Sequence, residues 1–168
     1  GHLEEALAAH RRLLADQIRV RGEGHPDVVL ARTNLYGVLS NLGRMEEARS
    51  VIDAAIAQGT QSLGPTHPSV LAARNNRADW LESQGQFEAA RAEYESIIAD
   101  AEADANAGRH HPEVIPSIAE LGKLLGELGE HDAAIGYIVE ANDVLASRYP
   151  HGHGNLQTGY NNLGVVLQ

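Results

Sequence analysis

The sequence predicts an all-α protein built from four successive pairs of antiparallel helices. A histidine-proline motif recurs in step along the chain, the fourth copy in weakened form, at His25, His67, His111 and His153. A glycine followed five residues later by alanine recurs with nearly the same spacing, at Gly1, Gly43, Gly85 and Gly129. Two independent markers with one period indicate a repeat array.

The individual helices follow from apolar spacing and stop signals. The first is predicted over residues 2–21, where apolar residues fall at helical spacing before Gly22-Glu23-Gly24 stops it. The second begins at Pro26, because the missing N–H of proline costs nothing at the first helical position, and it runs to about Asn41. The pattern then repeats, so that eight helices and no strand are predicted, the other six over residues 44–63, 68–84, 86–105, 112–127, 130–149 and 155–168.

The same period defines the domain organisation. The chain is predicted to be one array over residues 1–168, with units at about 1–42, 43–84, 85–128 and 129–168. Residue 1 falls at a turn between paired helices, and residue 168 falls three short of the next expected turn glycine. Natural arrays end in polar capping helices. We therefore expect an excerpt of a longer array, with uncapped ends that can self-associate by stacking.

Small side chains are predicted where paired helices cross. The alanine after each turn glycine forms one packing column, and the matching column of the partner helix is small in three of four units. Tyr36 is the exception in that column. Arg77 is a second departure, because it occupies a column that otherwise holds leucine.

Composition and charge exclude several classes of function. Hydrophobic residues make up 43% and aromatic residues only 4%, a mix that favours helices packed through small side chains. No cysteine is present, which excludes disulfides and cysteine-based zinc sites. There is neither an apolar run of the ~20 residues that a bilayer requires nor a signal segment. We therefore expect a cytoplasmic protein without a membrane partner.

The formal net charge of −10 lies entirely beyond residue 50, since residues 1–50 carry seven basic and seven acidic side chains. An acidic surface repels phosphate backbones, so no nucleic-acid partner is expected.

With the columns aligned, the sequence resembles tetratricopeptide repeats, specifically the 42-residue kind found in kinesin light chains. The link Leu63–Val70 reads Leu-Gly-Pro-Thr-His-Pro-Ser-Val, and the helix cores read Asn-Asn-Arg-Ala over residues 75–78 and Asn-Asn-Leu-Gly over residues 161–164. The resemblance covers the whole chain and implies a right-handed superhelical solenoid. Similar arrays are attached to bacterial signalling proteins.

In the family that the sequence resembles, the first helix of each unit lines a concave groove, where asparagines hold the backbone of an extended peptide. An amide suits that task because it both donates and accepts hydrogen bonds, whatever side chain the peptide carries. The candidate groove residues are Asn34, Asn75, Asn76, Asp79, Glu120, Lys123, Asn161 and Asn162. The alternative is that these asparagines hydrogen-bond between neighbouring helices and touch no ligand.

The third unit replaces the asparagine pair with Ala119-Glu120, and acidic side chains exceed the single Lys123 on this face. This excess favours basic or polar peptides, although solvated charges without a ligand explain it nearly as well.

Metal and catalytic chemistry have little support. The recurring histidines stand once per unit at a helix entrance, which indicates helix capping, whereas a metal site needs three or four converging ligands. The sequence has no catalytic motif for a nucleophile, a phosphate loop or a metalloprotease. We expect no cofactor, no metal and no enzymatic activity.

The sequence therefore predicts a protein–protein interaction scaffold that binds an extended partner segment. The alternative is a structural spacer that self-assembles through its open ends and has no peptide ligand.

Overall fold

The computed structural model describes residues 2–148, which form seven α-helices and no strand. The prediction of an all-α fold is confirmed. The helices are α1 (His2–Arg21), α2 (Pro26–Asn41), α3 (Met45–Leu63), α4 (Pro68–Ser83), α5 (Phe87–Ala103), α6 (Ile115–Glu127) and α7 (His131–Arg148). The eighth predicted helix, at 155–168, lies outside the described residues.

The chain divides into two compact units, the first holding α1 to α4 and the second α5 to α7. In the first unit, α3 contacts both α2 and α4. One apolar cluster joins these three helices through fully buried side chains, among them Val29, Ile52 and Ala73. A second cluster joins α1 to α2 and α3 through Leu7, Leu35 and Ala48. Burial of each large aliphatic side chain contributes roughly 1.5–3 kcal/mol to the free energy of unfolding. The two clusters therefore hold α1 to α4 together.

The predicted columns of small side chains lie at close helix approaches. Ala48, Ala90 and Ala134 are completely buried. Outside these columns, Gly59 of α3 lies so close to its neighbours that an added Cβ would come within 2.8 Å of Val70 Cγ2 and 3.0 Å of Val29 Cγ2. Small residues therefore set the spacing of the helices.

The structure confirms the predicted capping role of two of the recurring histidines. Nδ1 of His25 accepts a hydrogen bond from the backbone N–H of Asp27 at 3.1 Å, and Nδ1 of His67 accepts one from Ser69 at 3.2 Å. His111 makes the same bond with Glu113 at 3.3 Å. The imidazoles of His25 and His67 thus satisfy backbone donors that have no partner within α2 and α4. Glu113 lies in the turn before α6, so His111 does not cap that helix. His153 lies outside the described residues.

The predicted start of α6 at residue 112 was wrong, because the helix begins at Ile115. The carbonyl of His111 accepts bonds from Val114 and Ile115 at 2.9 and 3.3 Å, so a turn does form there. Pro116, however, has no N–H to donate to the carbonyl of Pro112, and the regular helical pattern is delayed.

The predicted end of α5 at residue 105 was also late, because the helix ends at Ala103. The Asp104 carboxylate accepts a bond from the N–H of Asn106 at 2.8 Å. This local turn competes with continuation of the helix.

We expect His67→Ala to lower the free energy of unfolding by about 1 kcal/mol, the usual cost of losing a helix cap. The loss would be measured by urea denaturation followed by circular dichroism. His67→Asn is the matched control, because its side-chain oxygen restores an acceptor at the same position and should recover most of the stability. Equal losses in both variants would contradict a capping role.

Candidate functional site

The first unit carries four of the predicted groove residues on two helices that contact each other, α2 and α4. Asn34 is exposed on α2, while Asn75 and Asn76 are half-buried and Asp79 is exposed on α4. Asn76 and Asp79 stand three residues apart and so lie on one helix face. We name this region the α2–α4 surface and define it by Asn34, Tyr36, Asn76 and Asp79.

Tyr36 bridges the two helices of this surface. Its hydroxyl donates a hydrogen bond to the backbone carbonyl of Asn76 at 3.0 Å. Burial raises the pKa of Tyr36, and the negative charge of Asp79 raises it further. The net effect is a raised pKa, so the phenol stays protonated at neutral pH and remains a donor.

The sequence marked Tyr36 only as an exception in a column of small residues. The structure explains the exception, because the Tyr36 side chain extends to α4. Its hydrogen bond there fixes the backbone that carries Asn76.

The asparagine amides divide into two kinds. Asn75 has an interaction within the protein. In contrast, the side chains of Asn34 and Asn76 make no hydrogen bond to any other residue that the structure describes. Hydrogen bonding between neighbouring helices therefore does not account for these two amides.

Arg77, the departure from the leucine column, pairs with α3. Its guanidinium lies 3.6 Å from the Asp53 carboxylate, which also lies 3.6 Å from Arg49. Arg49 in turn stacks over the Trp80 ring, with its guanidinium carbon 5.5 Å from the ring centroid. Trp80 is itself buried. These contacts stabilise the packing of α4 on α3.

The second unit holds two further predicted residues, Glu120 and Lys123, both on α6. Their side chains form a half-exposed ion pair, with Nζ 3.3 Å from Oε2. A ligand at this position would meet a pair of partly compensated charges and no free amide. The last two candidates, Asn161 and Asn162, lie outside the described residues.

Sequence reasoning missed a polar cluster of the second unit, which is centred on Arg109. Its guanidinium binds both oxygens of Glu140 on α7, with Nε–Oε1 at 2.5 Å and Nη2–Oε2 at 2.9 Å. It also donates to Glu102 of α5 at 2.6 Å and lies 5.6 Å from the centroid of the Tyr137 ring. His110 lies 3.0 Å from the same Glu140 oxygen.

The cluster shifts the titration of its members. The pKa of Arg109 is raised, chiefly by its hydrogen bonds to Glu140. The pKa of Glu140 is lowered, first by those bonds, with burial opposing and His110 adding to the effect. These bonds attach the segment between α5 and α6 to both α5 and α7. The charged groups of the cluster are all paired with one another, which indicates a structural role.

Within residues 2–148, no group of three or more His, Cys, Asp or Glu side chains could hold a metal ion. Among the same residues, no helix is both long and apolar enough to cross a membrane.

Comparisons with known proteins show what part of the chain is similar to. Residues 37–103 match the family model of the tetratricopeptide repeat. A comparison with curated protein sequences finds no match.

Two solved structures share the fold. One contains the nearly identical TPR-like repeats of a Podosopora anserina protein assigned as a kinesin light chain. It is 21% identical, with a TM-score of 0.74, over 100% of this chain and 79% of that chain. The other is BtubC (BKLC) from P. vanneervenii, 20% identical with a TM-score of 0.85, over 99% of this chain and 66% of that one. At these identities the likeness establishes the fold.

Proposed function

We propose that this chain, which matches the tetratricopeptide-repeat model over residues 37–103, is a protein–protein interaction scaffold that holds an extended partner segment on the α2–α4 surface. One observation carries the proposal. Asn34 and Asn76, one repeat period apart on contacting helices, present amides that bond to no other described residue. The scaffold acts in the cytoplasm and has no catalytic activity of its own.

The chemistry of these amides fits recognition of a peptide backbone. Each amide can donate to a peptide carbonyl and accept from a peptide N–H, and both contacts are available whatever the partner's side chains are. Tyr36 supports the arrangement because it fixes the backbone that presents Asn76. A rigid surface loses little conformational entropy when the partner binds.

Charge supports a preference for basic or polar segments. The exposed Asp79 lies on the surface itself, and the whole excess of negative charge lies beyond residue 50. A basic segment would approach faster and bind more tightly at low salt than an acidic one, because the attraction is screened as ionic strength rises.

The proposal is tested with peptides selected from a random extended-peptide library against the whole chain. We expect the double variant Asn34→Ala/Asn76→Ala to bind a selected peptide about thirtyfold more weakly, since a net loss of about 1 kcal/mol for each amide removed adds to about 2 kcal/mol. Binding would be measured by fluorescence anisotropy at two salt concentrations.

The matched control is Asn106→Ala, an exposed asparagine outside the surface, in the segment after α5. It should bind with unchanged affinity. Equal losses in the double variant and the control would contradict the assignment of the surface. A chain that selects no peptide, yet grows in mass without limit as its concentration rises, would favour the spacer that stacks through its ends.

A further inference from the structure

The polar side of α2 continues past Asn34. Gly37 and Asn41 follow Asn34 at three and seven residues, and these steps place all three on one side of the helix. Asn34 and Asn41 are exposed, and Gly37 is half-buried between them. Like Asn34, Asn41 makes no side-chain hydrogen bond to any other residue that the structure describes. We name this side of the helix the α2 face and define it by Asn34, Gly37 and Asn41.

The equivalent face of α4 is open as well. One repeat period after the residues of the α2 face, α4 carries Asn76, Asp79 and Ser83. Although α4 packs against both α2 and α3, its Asp79 and Ser83 are exposed. The face therefore points away from the surfaces through which the helices pack, and its exposure on α2 is a property of the repeat.

Gly37 is a helical glycine that packing does not require. Glycine destabilises the interior of a helix relative to alanine. At Gly59 an added Cβ would clash with two neighbouring helices, whereas at Gly37 it would meet nothing within 4 Å. Gly136 of α7 is equally open, so openness alone does not assign a function. Gly37 differs from Gly136 because it lies between two exposed amides that bond to no other described residue.

An extended chain that crosses α2 over Gly37 fits between those amides. Seven residues of helix separate Asn34 from Asn41, which corresponds to about 10 Å along the axis. A chain midway between them lies about 5 Å from each, close to the roughly 4.8 Å at which neighbouring strands hydrogen-bond. Because Gly37 has no side chain, the chain can approach the helix closely at this point.

The two amides are placed to bind opposite edges of one backbone. An extended chain carries N–H and C=O groups along both edges, and each asparagine can donate to and accept from these groups. A helix has already used its backbone groups internally, and a strand at the edge of a sheet has only one edge free. The α2 face therefore fits a segment that is extended and unpaired on both sides.

We propose that the partner is a single extended segment, unpaired in its free state, that crosses α2 over Gly37 with Asn34 and Asn41 bonded to its opposite edges. The inference rests on the proposed function and adds to it the conformation of the partner and the residue that admits it. Gly37 acts through the space that it leaves. Beyond α2, the segment continues to the amide of Asn76 on α4, the helix that contacts α2.

Gly37→Leu tests the role of the glycine with a peptide selected from the extended-peptide library. Leucine fills the gap between the two amides, so the variant should bind the peptide at least about tenfold more weakly by fluorescence anisotropy. Gly136→Leu, at an equally open helical glycine of the second unit, is the matched control and should bind normally. Urea denaturation should show both variants to be at least as stable as the parent, since leucine forms helices better than glycine. Lost binding in a protein of undiminished stability cannot come from unfolding.

Two further measurements test the grip on both edges. Asn41→Ala should bind the selected peptide about fivefold more weakly, the effect expected from removing one amide. The same peptide sequence built into one strand of a β-hairpin has one edge already paired. This hairpin should bind the parent protein at least about tenfold more weakly than the linear peptide does.

The outcomes separate this inference from the proposed function. Gly37→Leu or Asn41→Ala binding as tightly as the parent, while Asn34→Ala/Asn76→Ala does not, would overturn the inference and leave the proposed function standing. A hairpin that binds as tightly as the linear peptide would also overturn the inference, because one edge would then suffice. A chain that selects no peptide at all would overturn both.

Discussion

Gly122→Leu is expected to lower the free energy of unfolding by about 3 kcal/mol, the upper part of the usual range for overpacking a close contact. A Cβ at Gly122 would lie 2.8 Å from Ile138 Cγ1 and 3.1 Å from both the backbone nitrogen of Ile138 and Tyr137 Cβ. Backbone atoms cannot move aside as a side chain can, so α6 and α7 would have to separate. Chemical denaturation followed by circular dichroism would measure the loss.

Gly136→Leu is the matched control in the same unit. Gly136 is also helical, but an added Cβ there has no atom within 4 Å among the described residues. Leucine forms helices better than glycine by almost 1 kcal/mol, so this variant should be as stable as the parent or slightly more stable. Similar losses for the two variants would show that the close approach of α7 is not the cause.

Glu140→Gln is expected to lower the free energy of unfolding by about 2 kcal/mol at neutral pH. The partly buried guanidinium of Arg109 would keep only one acceptor oxygen of residue 140 and would lose one of its two charged partners. Removing one member of a fully buried pair costs more, but both side chains retain about a quarter of their exposure, which reduces the loss.

The loss should depend on pH in a defined direction. The pKa of Glu140 in the folded protein lies below its ordinary value of 4.5. The ion pair therefore contributes its full stability above pH 4.5, and this contribution disappears as the pH falls through the lowered folded-state pKa. The difference between parent and Glu140→Gln should be largest at neutral pH and should shrink in acid.

Urea denaturation at a series of pH values would measure this difference. Glu95→Gln is the control, because Glu95 forms a more exposed ion pair with Arg91. Its effect should be small throughout. A Glu140→Gln loss that is the same in acid and at neutral pH would contradict the ion pair as its source.

The sequence predicted the helices well because their signals are local and repeated. Helical spacing, the turn glycines and the histidine-proline entrances each specify structure within a few residues. The start of α6 was missed because Pro116 acts on the carbonyl of a residue four places earlier, an effect that the repeat pattern of the other units does not contain.

The polar clusters were harder to predict because they depend on distant residues. Arg109 and Glu140 are 31 positions apart, and they meet only once the segment between α5 and α6 has folded. Tyr36 and Asn76 are 40 positions apart. Periodicity placed Asn34 and Asn76 on equivalent faces, but only the structure distinguishes them from Asn75, which is engaged internally.

The contacts within each unit have a kinetic consequence. Within residues 2–148, every strongly packed pair of helices stands one or two places apart along the chain, from α1 with α2 to α6 with α7. Contact order is therefore low, and little loop-closure entropy must be overcome before native contacts form. Folding can begin at more than one helix pair and spread to its neighbours, so a lesion at one position slows a local step while other pairs still provide a nucleus.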